Sequence, residues 1–421
     1  MLSGITATSA LTIYIPPAIY AAGNSIEGEV AIDFRQLREE NIEEVQVRLR
    51  GASRTMMHRD KMSLYETVRL AHEDTSLWTR GSGVYPFQGS DTLRVPFAFT
   101  LPESLPPSFH YSGFSQSGNV RYSLTAVGVR KGVLALNKRH RVPLAVLPRD
   151  ELGAALRAEH ATHGWKSFAK EDSIRRGLWG EYSKVHVELS LPDIPVLPLF
   201  SDIPYTISIT TTTPPQPHRE QDASGGPCKP VFPPVPQSAD ELEFALHRRV
   251  KLRAKFMHVS LSGDAALFLG RKRENERAGG PAPVESELPE KEWAPVDVEA
   301  ALIADEKGLG PRKTKTGVDP DTLNLGAWVQ RATFRSVVRL NCPPTFAVHN
   351  IECNYELVVR VPFPGIGNSL RLEVPVKVTS GIDKPIAKEE SDSDSMPPPL
   401  DLPPAYWDAD SRDWDVDEKD G

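Results

Sequence analysis

The chain has 421 residues, of which 39% are hydrophobic and 25% charged, and its formal net charge is −7. This length is sufficient for two ordinary domains with separate cores. Three cysteines, Cys228, Cys342 and Cys353, are too few for a disulfide scaffold and contain no Cys-x-x-Cys zinc pair. We therefore expect a reducing, cytoplasmic setting with no metal and no cofactor.

Charge and proline are unevenly distributed. Residues 382–421 contain 13 acidic and 4 basic residues, which leaves the remainder of the chain at a net charge of +2. The 38 prolines interrupt short apolar runs, which favours strands and loops over long helices. The apolar start, Met1 to Ala22, is interrupted by Pro16 and Pro17 and precedes the first basic residue, Arg35. We interpret it as an edge strand and loop instead of a signal peptide, and no apolar run reaches transmembrane length.

Alternation of apolar and polar residues, which is typical of half-buried strands, recurs along the chain. Helical spacing is convincing only around Leu152 and Leu156. The pattern predicts an all-β fold of antiparallel sheets packed face to face and argues against α/β folds and helical bundles. The alternating runs are residues 26–34, 45–49, 120–126, 185–191, 203–209, 242–256, 353–359 and 370–378.

An internal repeat indicates two domains of one type. The first copy has Pro-Pro-Ser-Phe at 106–109, then Tyr122, then Val-Pro-Leu-Ala-Val at 142–146. The second has Pro-Pro-Thr-Phe at 343–346, then Tyr355, then Val-Pro-Val-Lys-Val at 374–378. A closing unit of strands at the end of each half explains the order, so we predict two related β-sandwiches in tandem.

The predicted domain boundaries follow from these patterns. The first sandwich is expected over residues 10–147, a connector with a short helix over 148–180, and the second sandwich over 181–380. Two segments inside the second sandwich, about 214–238 and 271–320, lack sustained alternation and are predicted to be mobile loop insertions. Residues 381–421 are acidic and proline-rich and are predicted to form a disordered tail.

The tail contains a Pro-Pro-x-Tyr motif. Pro403 and Pro404 favour a polyproline II helix with three residues per turn, and Tyr406 lies one turn after Pro403 on the same face. WW domains bind such helices in aromatic-lined grooves, so Leu402, Pro403, Pro404 and Tyr406 are the predicted WW-binding residues. The alternative is that these prolines only solvate the tail.

Two further candidate sites have strong charge. The first is a set of three serines that alternate with aspartates in the tail: Ser391, Ser393 and Ser395. They suit an acidophilic kinase, and each phosphate would add about −1.5 to −2 charge. The alternative is a simple solvated acidic tail.

The second is a stripe of four basic residues at alternate strand positions, about 6–7 Å apart on one face: Arg249, Lys251, Arg253 and Lys255. A stripe of one sign predicts an anionic partner: an acidic cargo tail, a lipid headgroup or this chain's own tail. An ordinary solvated face is the alternative.

Signals for catalysis are poor. The Gly-Leu-Gly-Pro-Arg-Lys-Thr sequence at 308–314 lacks the spacing of a phosphate-binding loop. His160 and His163 lack the glutamate of a metalloprotease helix, and no Gly-x-Ser-x-Gly elbow is present. We expect no catalytic residues, no enzymatic activity and no nucleic-acid partner.

Taken together, these motifs resemble the arrestins, and more closely the α-arrestin branch of arrestin-domain-containing proteins. The resemblance covers roughly residues 10–380 and lies in the order and duplication of short motifs. The matching segments are 23–30, 101–109, 175–180, 343–346, and the closing strands at Tyr355 and at Val374 with Pro375.

The resemblance implies two immunoglobulin-like sandwiches in an adaptor. It also implies recruitment of a WW-domain HECT-type ubiquitin ligase to cytoplasmic segments of membrane transporters or receptors, which promotes endocytosis. The adaptor would be cytoplasmic and recruited to the plasma membrane or endosomes. The alternative is an arrestin-like coat or signalling scaffold, of the retromer-like or pH-signalling type, in which ligase docking is secondary. The phosphate-sensing core of the visual and β-arrestins is not carried over.

Overall fold

The computed structural model of the protein describes residues 9–59, 62–132, 136–159, 163–177, 180–217, 231–270, 283–295, 325–365 and 367–387. Regular structure in these ranges is almost entirely β-strand, supplemented by the helices α1 (Phe34–Glu39) and α2 (Glu151–Glu159) and a 3₁₀ turn at Ala239–Glu241. The predicted all-β fold of antiparallel sheets is confirmed.

The first sandwich packs a three-stranded sheet against a larger one. Its strands are β1 (Leu11–Tyr14), β2 (Ala18–Ala21), β3 (Ser25–Asp33), β4 (Ile42–Arg59), β5 (Met62–Thr79), β6 (Thr92–Thr100), β7 (Phe109–Ser112), β8 (Gln116–Arg130) and β9 (Lys138–Leu147). The smaller sheet has the order β1-β3-β6, and the larger one the order β2-β9-β8-β4-β5 with β7 added to β8. The inward side chains Val30, Leu49 and Tyr122 are buried, as the alternation predicts.

The second sandwich also has two main sheets. Its strands are β10 (Trp165–Arg175), β11 (Tyr182–Pro192), β12 (Leu197–Pro198), β13 (Asp202–Thr212), β14 (Gln216–Pro217), β15 (Glu243–Ala254), β16 (Met257–Leu269), β17 (Glu285–Glu287), β18 (Glu292–Pro295), β19 (Leu325–Arg339), β20 (Phe346–Ala347), β21 (Ile351–Pro362), β22 (Ser369–Val376) and β23 (Val378–Thr379). One sheet runs β10-β11-β13-β19, and β14, β17 and β18 pair with β19. The other runs β16-β15-β21, with β20 and β22 on β21, while β12 and β23 form a short parallel pair.

The repeated tyrosines make the same contact in both sandwiches. Tyr122 donates its hydroxyl hydrogen to the carbonyl oxygen of Pro106 at 2.7 Å, and Tyr355 donates to that of Pro343 at 2.7 Å. Both rings are buried. Each hydroxyl thereby holds the loop that precedes its strand against the core. This contact explains why tyrosine follows the proline pair in both copies.

A second pair of contacts is also duplicated. Ser108 N–H donates to Val146 O at 2.7 Å, and Val146 N–H donates to the Ser108 hydroxyl at 3.0 Å. The equivalent bonds join Thr345 and Val378 at 2.9 and 3.0 Å. A hydroxyl residue is needed at this position because it replaces a backbone acceptor, and the two sandwiches share this unit.

The two sandwiches meet through the repeated segments. The rings of Phe109 and Phe346, equivalent residues of the two copies, are in edge-to-face contact with centroids 5.1 Å apart. Beside them the side chain of Asn350 lies 2.6 Å from Ser53 Oγ and donates to Ser53 O at 3.3 Å and Thr55 Oγ1 at 3.4 Å. These three polar residues are buried, so the interface depends on their mutual hydrogen bonds.

The predicted connector, residues 148–180, needs correction. Its helix is present as α2, but residues 165–175 form β10, which pairs with β11 along its whole length. Nearly all of β10 is exposed at the edge of the sheet, so it lacks the apolar alternation that identifies a half-buried strand. The second sandwich therefore begins at Trp165, and Trp179 lies outside the described residues.

Helix α1 was also missed, because Phe34 was assigned to a strand. Asp33 caps this helix: its carboxylate accepts hydrogen bonds from the backbone N–H groups of Arg35 at 2.9 Å and Gln36 at 3.3 Å. Six residues are too few to show a helical period. Phe256 was placed in a strand as well, yet it lies in the β15–β16 turn with 71% of its surface exposed.

The two predicted loop insertions differ from expectation where they are described. Between 271 and 320, β17 and β18 pair with β19, and Trp293 of β18 lies opposite Trp328 with ring centroids 5.1 Å apart. These strands have only three and four residues, too short for a visible alternation. Residues 271–282 and 296–324 lie outside the described residues. In the insertion at 214–238, β14 is present and residues 218–230 are likewise outside them.

The predicted disordered tail begins too early. Ile382 is buried, and a strand at Ile386–Ala387, β24, pairs antiparallel with Ala18 and Ile19 of β2. The large sheet of the first sandwich therefore has the order β24-β2-β9-β8-β4-β5. A strand that contributes two residue pairs gives no alternating pattern, so the acidic composition around it dominated the prediction.

Candidate partner-binding surfaces

The predicted tail sites follow β24. Leu402, Pro403, Pro404 and Tyr406 lie outside the described residues, as do Ser391, Ser393 and Ser395. Ala387 of β24 is the last residue that the structure describes. The tail therefore leaves the body at the edge of the first sandwich and not from the second.

Two of the predicted basic residues, Arg249 and Lys251, lie on the outer face of β15. The Arg249 guanidinium contacts the Glu356 carboxylate at 2.8 Å and lies 3.9 Å from Glu373. The Lys251 ammonium contacts Glu352 at 3.1 Å, and its hydrogen bond, together with that of Asn354 and the Lys251 charge, lowers the pKa of that carboxyl group despite the opposing effect of burial. The expected stripe of one sign is thus wrong, because β21 and β22 place carboxylates beside it.

The other two members, Arg253 and Lys255, belong to the end of the strand and its turn. Arg253 Nε donates to Lys255 O at 3.2 Å, and Arg253 O accepts a hydrogen bond from Thr55 of the first sandwich. Lys255 has a φ of +57°, and its N–H donates to the Glu66 carboxylate of β5. This end of the stripe therefore helps to join the sandwiches, and Lys255, in the turn after β15, lies outside the alternating strand positions.

A second basic surface was not predicted. It is a groove of about 390 Å³ on the outer face of the large sheet of the first sandwich. We call it the arginine groove, because six arginines from four strands line it. They are Arg48, Arg50 and Arg54 of β4, Arg69 of β5, Arg121 of β8 and Arg141 of β9.

Strand register brings these arginines together. Arg48 of β4 lies opposite Thr125 of β8, which lies opposite Arg141 of β9. Ala52, four positions further along β4 and on the same face, lies between Arg121 and Arg69. Rows of an antiparallel sheet place facing side chains on the same surface, about 5 Å from one strand to the next. Small residues in the centre of the groove leave room between the guanidinium groups.

Asp74 of β5 lies at the edge of the groove, next to two of its arginines. Its carboxylate forms ion pairs with Arg50 and, at 3.9 Å, with Arg48. Partial burial raises the pKa of Asp74, but the hydrogen bond and charge of Arg50, with the charges of Arg48 and His72, outweigh it and hold the pKa below its ordinary value. None of the described lining residues is acidic. The described lining of the groove is therefore rich in basic side chains.

Replacing Asp74 by asparagine should destabilise the protein slightly and in a pH-dependent manner. Because the folded pKa of Asp74 is lowered, its contribution is fully present above the unfolded pKa and is lost as the pH falls through the folded pKa. For this largely exposed ion pair we expect a loss of at most about 1 kcal/mol at pH 7. Urea unfolding at pH 7 and near pH 3 tests this, with Glu73→Gln as the control, and a difference that grows at low pH would contradict it.

The sequence contained part of the signal for the groove. Arg48, Arg50 and Arg54 occupy alternate positions in β4, which already indicates a basic outer face. Arg69, Arg121 and Arg141 belong to three other strands, and only the register of β5, β8 and β9 against β4 brings them beside the arginines of β4. The stripe at β15 is visible in the sequence because its four residues occupy alternate positions of one short segment.

The buried cysteines do not provide a reactive thiol. Burial raises the pKa of Cys342 to about 12 and that of Cys353 to about 11, and both side chains are enclosed by the core. Thiols of this kind remain protonated and unreactive at neutral pH. In the part of the chain that the structure describes, no cluster of three or more His, Cys, Asp or Glu side chains could hold a metal ion.

Comparison with known proteins identifies the first sandwich. Residues 11–152 match the family model of the arrestin (or S-antigen) N-terminal domain, a range that spans β1 to β9 and the arginine groove. No curated protein matches the chain. The protein is thus arrestin-like over its first sandwich, and arrestin-type proteins are generally non-catalytic adaptors that bind protein cargo. Neither helix of the described residues is long and apolar enough to cross a membrane.

Proposed function

We propose that this protein is an adaptor that brings a WW-domain HECT-type ubiquitin ligase to the cytoplasmic segments of a membrane transporter or receptor and so promotes ubiquitination and endocytosis. The observation that carries the proposal is the Pro-Pro-Ala-Tyr sequence at 403–406, placed beyond a body whose first sandwich matches an arrestin domain. The proposal agrees with the α-arrestin resemblance of the sequence. Its site of action is the cytoplasmic surface of the plasma membrane or endosomes.

The two sandwiches supply the surface by which the adaptor would bind its cargo. Arg249 and Lys251 on β15 are 57% and 60% exposed; Glu356, the partner of Arg249, is buried, whereas Glu352, the partner of Lys251, is 36% exposed. An exposed ion pair such as that of Lys251 with Glu352 is worth about 0–1 kcal/mol, so an acidic cargo segment can exchange for Glu352 at small cost. Anionic lipid headgroups at the same face would hold the adaptor near its cargo.

The Pro-Pro-Ala-Tyr motif supplies the site by which the adaptor would bind the ligase. Pro403 is 16 positions beyond Ala387, the last described residue, and a chain of that length spans at most about 50–60 Å. A WW domain bound to Tyr406 can therefore lie clear of both sandwiches or beside either. Such a tether raises the local concentration of the ligase around lysines of the cargo without a direct contact between ligase and cargo.

The decisive experiment uses the full chain with Tyr406→Ala. Tyrosine fills the pocket next to the proline-binding groove, so its loss should weaken binding of a ligase WW domain by at least about tenfold, measured by titration calorimetry. Pro397→Ala, in the same tail but outside the motif, is the matched control and should bind as the unaltered chain does. Ubiquitination of cargo in cells should fall in parallel.

Unchanged WW binding by the Tyr406→Ala chain would refute ligase docking through this motif. The arrestin-like body would then be assigned to the other class, a coat or signalling scaffold. Normal WW binding by the intact chain together with unchanged cargo ubiquitination in the variant would also count against the proposed role, because docking would then have no consequence for the cargo.

A further inference from the structure

We propose that the outer end of the first sandwich binds the surface of a bilayer that contains anionic phospholipids. We call this end the distal tip; it consists of the β5–β6 loop, residues 80–91, and the described ends of the β8–β9 loop, residues 131–132 and 136–137. The distal tip is separate from the β15 face, and the inference does not depend on ligase docking.

Strand register places both loops at the same end of the large sheet. One row contains Lys138 of β9, Gly128 of β8, Val45 of β4 and Trp78 of β5. Strand β9 begins at this row, and β5 ends one residue beyond it. Leu136 precedes the row by two residues and the β5–β6 loop follows it by two, so both loops extend beyond the same end of the sheet.

The opposite end of this sheet contacts the second sandwich. Thr55 of β4 donates a hydrogen bond to Arg253 O. Glu66 of β5, which lies opposite Thr55, accepts a hydrogen bond from the Lys255 N–H. Thr55 is ten positions beyond Val45 on the same strand, a distance of about 33 Å at strand spacing. The distal tip therefore lies well away from the junction of the sandwiches.

The distal tip exposes apolar side chains on both of its loops. Phe87 is 92% exposed and Leu136 is 86% exposed, while Tyr85 and Val84 are 60% and 49% exposed. Single apolar residues scattered over a surface are ordinary, but several on neighbouring loops mark a site of interaction. The tip thus presents apolar surface that a partner can remove from water.

The β5–β6 loop is held in one shape by its own contacts. Trp78 Nε1–H donates to Val84 O at 2.9 Å, and Ser90 N–H donates to Phe87 O at 2.9 Å. The ring of Tyr85 packs edge-to-face against the first residue of α1, with centroids 6.1 Å apart. Because this loop is ordered before binding, its insertion into a bilayer costs little conformational freedom.

The charges at the tip favour an anionic surface over a cationic one. Residues 80–91 contain one arginine and one aspartate, residues 130–139 contain four basic residues and no acidic one, and α1 adds two arginines and one glutamate. Two carboxylates beside the loops are held in ion pairs: Glu40 with Arg130 and Lys138, and Glu43 with Arg80. Basic side chains near a bilayer attract anionic headgroups, which adds to the insertion of the apolar ones.

This combination of side chains fits a bilayer surface. Apolar side chains on separate loops can each enter the boundary of the acyl chains, while basic groups beside them stay among the headgroups. Tyr85 suits the headgroup level, because its ring is apolar and its hydroxyl group is polar. Binding through the distal tip would direct β4 away from the bilayer and toward the junction with the second sandwich.

Vesicle binding by the full chain tests the proposal. The tip variant combines Phe87→Ser with Leu136→Ser. The matched control combines Phe114→Ser with Phe256→Ser, in the β7–β8 and β15–β16 turns. All four side chains are exposed, so neither variant removes a core contact. Affinity is measured by co-sedimentation with vesicles of equal amounts of phosphatidylcholine and phosphatidylserine.

The tip variant is expected to bind about tenfold more weakly than the unaltered chain, because two apolar side chains no longer leave water on binding. The control variant should stay within about twofold of the unaltered chain, as surface substitutions outside a contact usually do.

A fluorescent probe then locates the inserted residue. The environment-sensitive dye NBD is attached to Phe87→Cys in a Cys228→Ser background, with Phe114→Cys as the control site. Cys342 and Cys353 stay in place because they are buried. Emission from position 87 should shift to shorter wavelength when vesicles are added, since the dye leaves water, and emission from position 114 should not change.

Absence of vesicle binding by the unaltered chain would overturn the proposal and assign the apolar tip to a protein partner. Equal binding by the tip variant and the unaltered chain would also overturn it. If that binding is lost in Lys251→Gln, the lipid contact belongs to the β15 face. WW-domain binding is measured separately and does not involve the distal tip, so a failure here and a failure of ligase docking can be distinguished.

Discussion

Replacing Tyr355 by alanine is expected to lower the free energy of unfolding by about 3–5 kcal/mol, since it removes a large buried aromatic side chain and leaves a cavity. The ring is 4% exposed, and its hydroxyl donates to Pro343 O at 2.7 Å. Burial raises the pKa of this hydroxyl well above its ordinary value, so it remains a hydrogen-bond donor at neutral pH.

Tyr355→Phe separates the hydrogen bond from the packing. It should cost about 1–3 kcal/mol, because the Pro343 carbonyl is left buried without its donor. Tyr122→Phe should cost a similar amount, since Tyr122 makes the same 2.7 Å bond to Pro106 in the first sandwich. Urea unfolding measures both, and Tyr182→Phe, at a ring that is 51% exposed, is the control. A negligible loss for both buried tyrosines would contradict the structural role assigned to the repeat.

The next largest effect is expected at the junction of the sandwiches. Asn350→Ala should cost about 1–3 kcal/mol, because it leaves the buried hydroxyl groups of Ser53 and Thr55 without this partner. The side chain is 1% exposed, so water cannot readily replace it. Asn354→Ala, on the outer face of β21, which begins just after Asn350, should cost less than about 1 kcal/mol and is the matched control.

A double-mutant cycle with Ser53→Ala isolates the contact between the domains. If Asn350 acts through Ser53, the cost of the double variant should be smaller than the sum of the two single costs by about 0.5–3 kcal/mol. Additive costs would mean that the two side chains contribute independently and that the 2.6 Å contact does not join the domains.

The architecture was predictable where packing is periodic. Strands such as β4 and β13 bury every second side chain, and the paired tyrosines mark equivalent positions in both sandwiches. Both signals lie in short stretches of sequence. The first is the alternation of apolar and polar side chains, and the second is the tyrosine whose hydroxyl makes a fixed hydrogen bond. Strand β10 escaped prediction because an exposed edge does not require apolar residues on either face.

The binding surfaces were less predictable, for a different physical reason. The charge of the β15 face depends on Glu352 and Glu356, which are about a hundred positions away in sequence. The arginine groove likewise depends on how β5, β8 and β9 align with β4. Net surface charge arises from register between strands, whereas a single run of sequence shows only one strand of the surface.

The pairing of β24 with β2 has a consequence for biosynthesis. Ala387 is 240 positions beyond Leu147, the end of β9. At about 5–20 residues per second, translation takes roughly 12–50 s to cover that distance. During this interval the first sandwich has left the ribosome while the outer edge of β2 is still uncovered, and an open strand edge is a site for pairing with other chains. Chaperone contact with the nascent protein is therefore expected to be concentrated at Ala18 and Ile19.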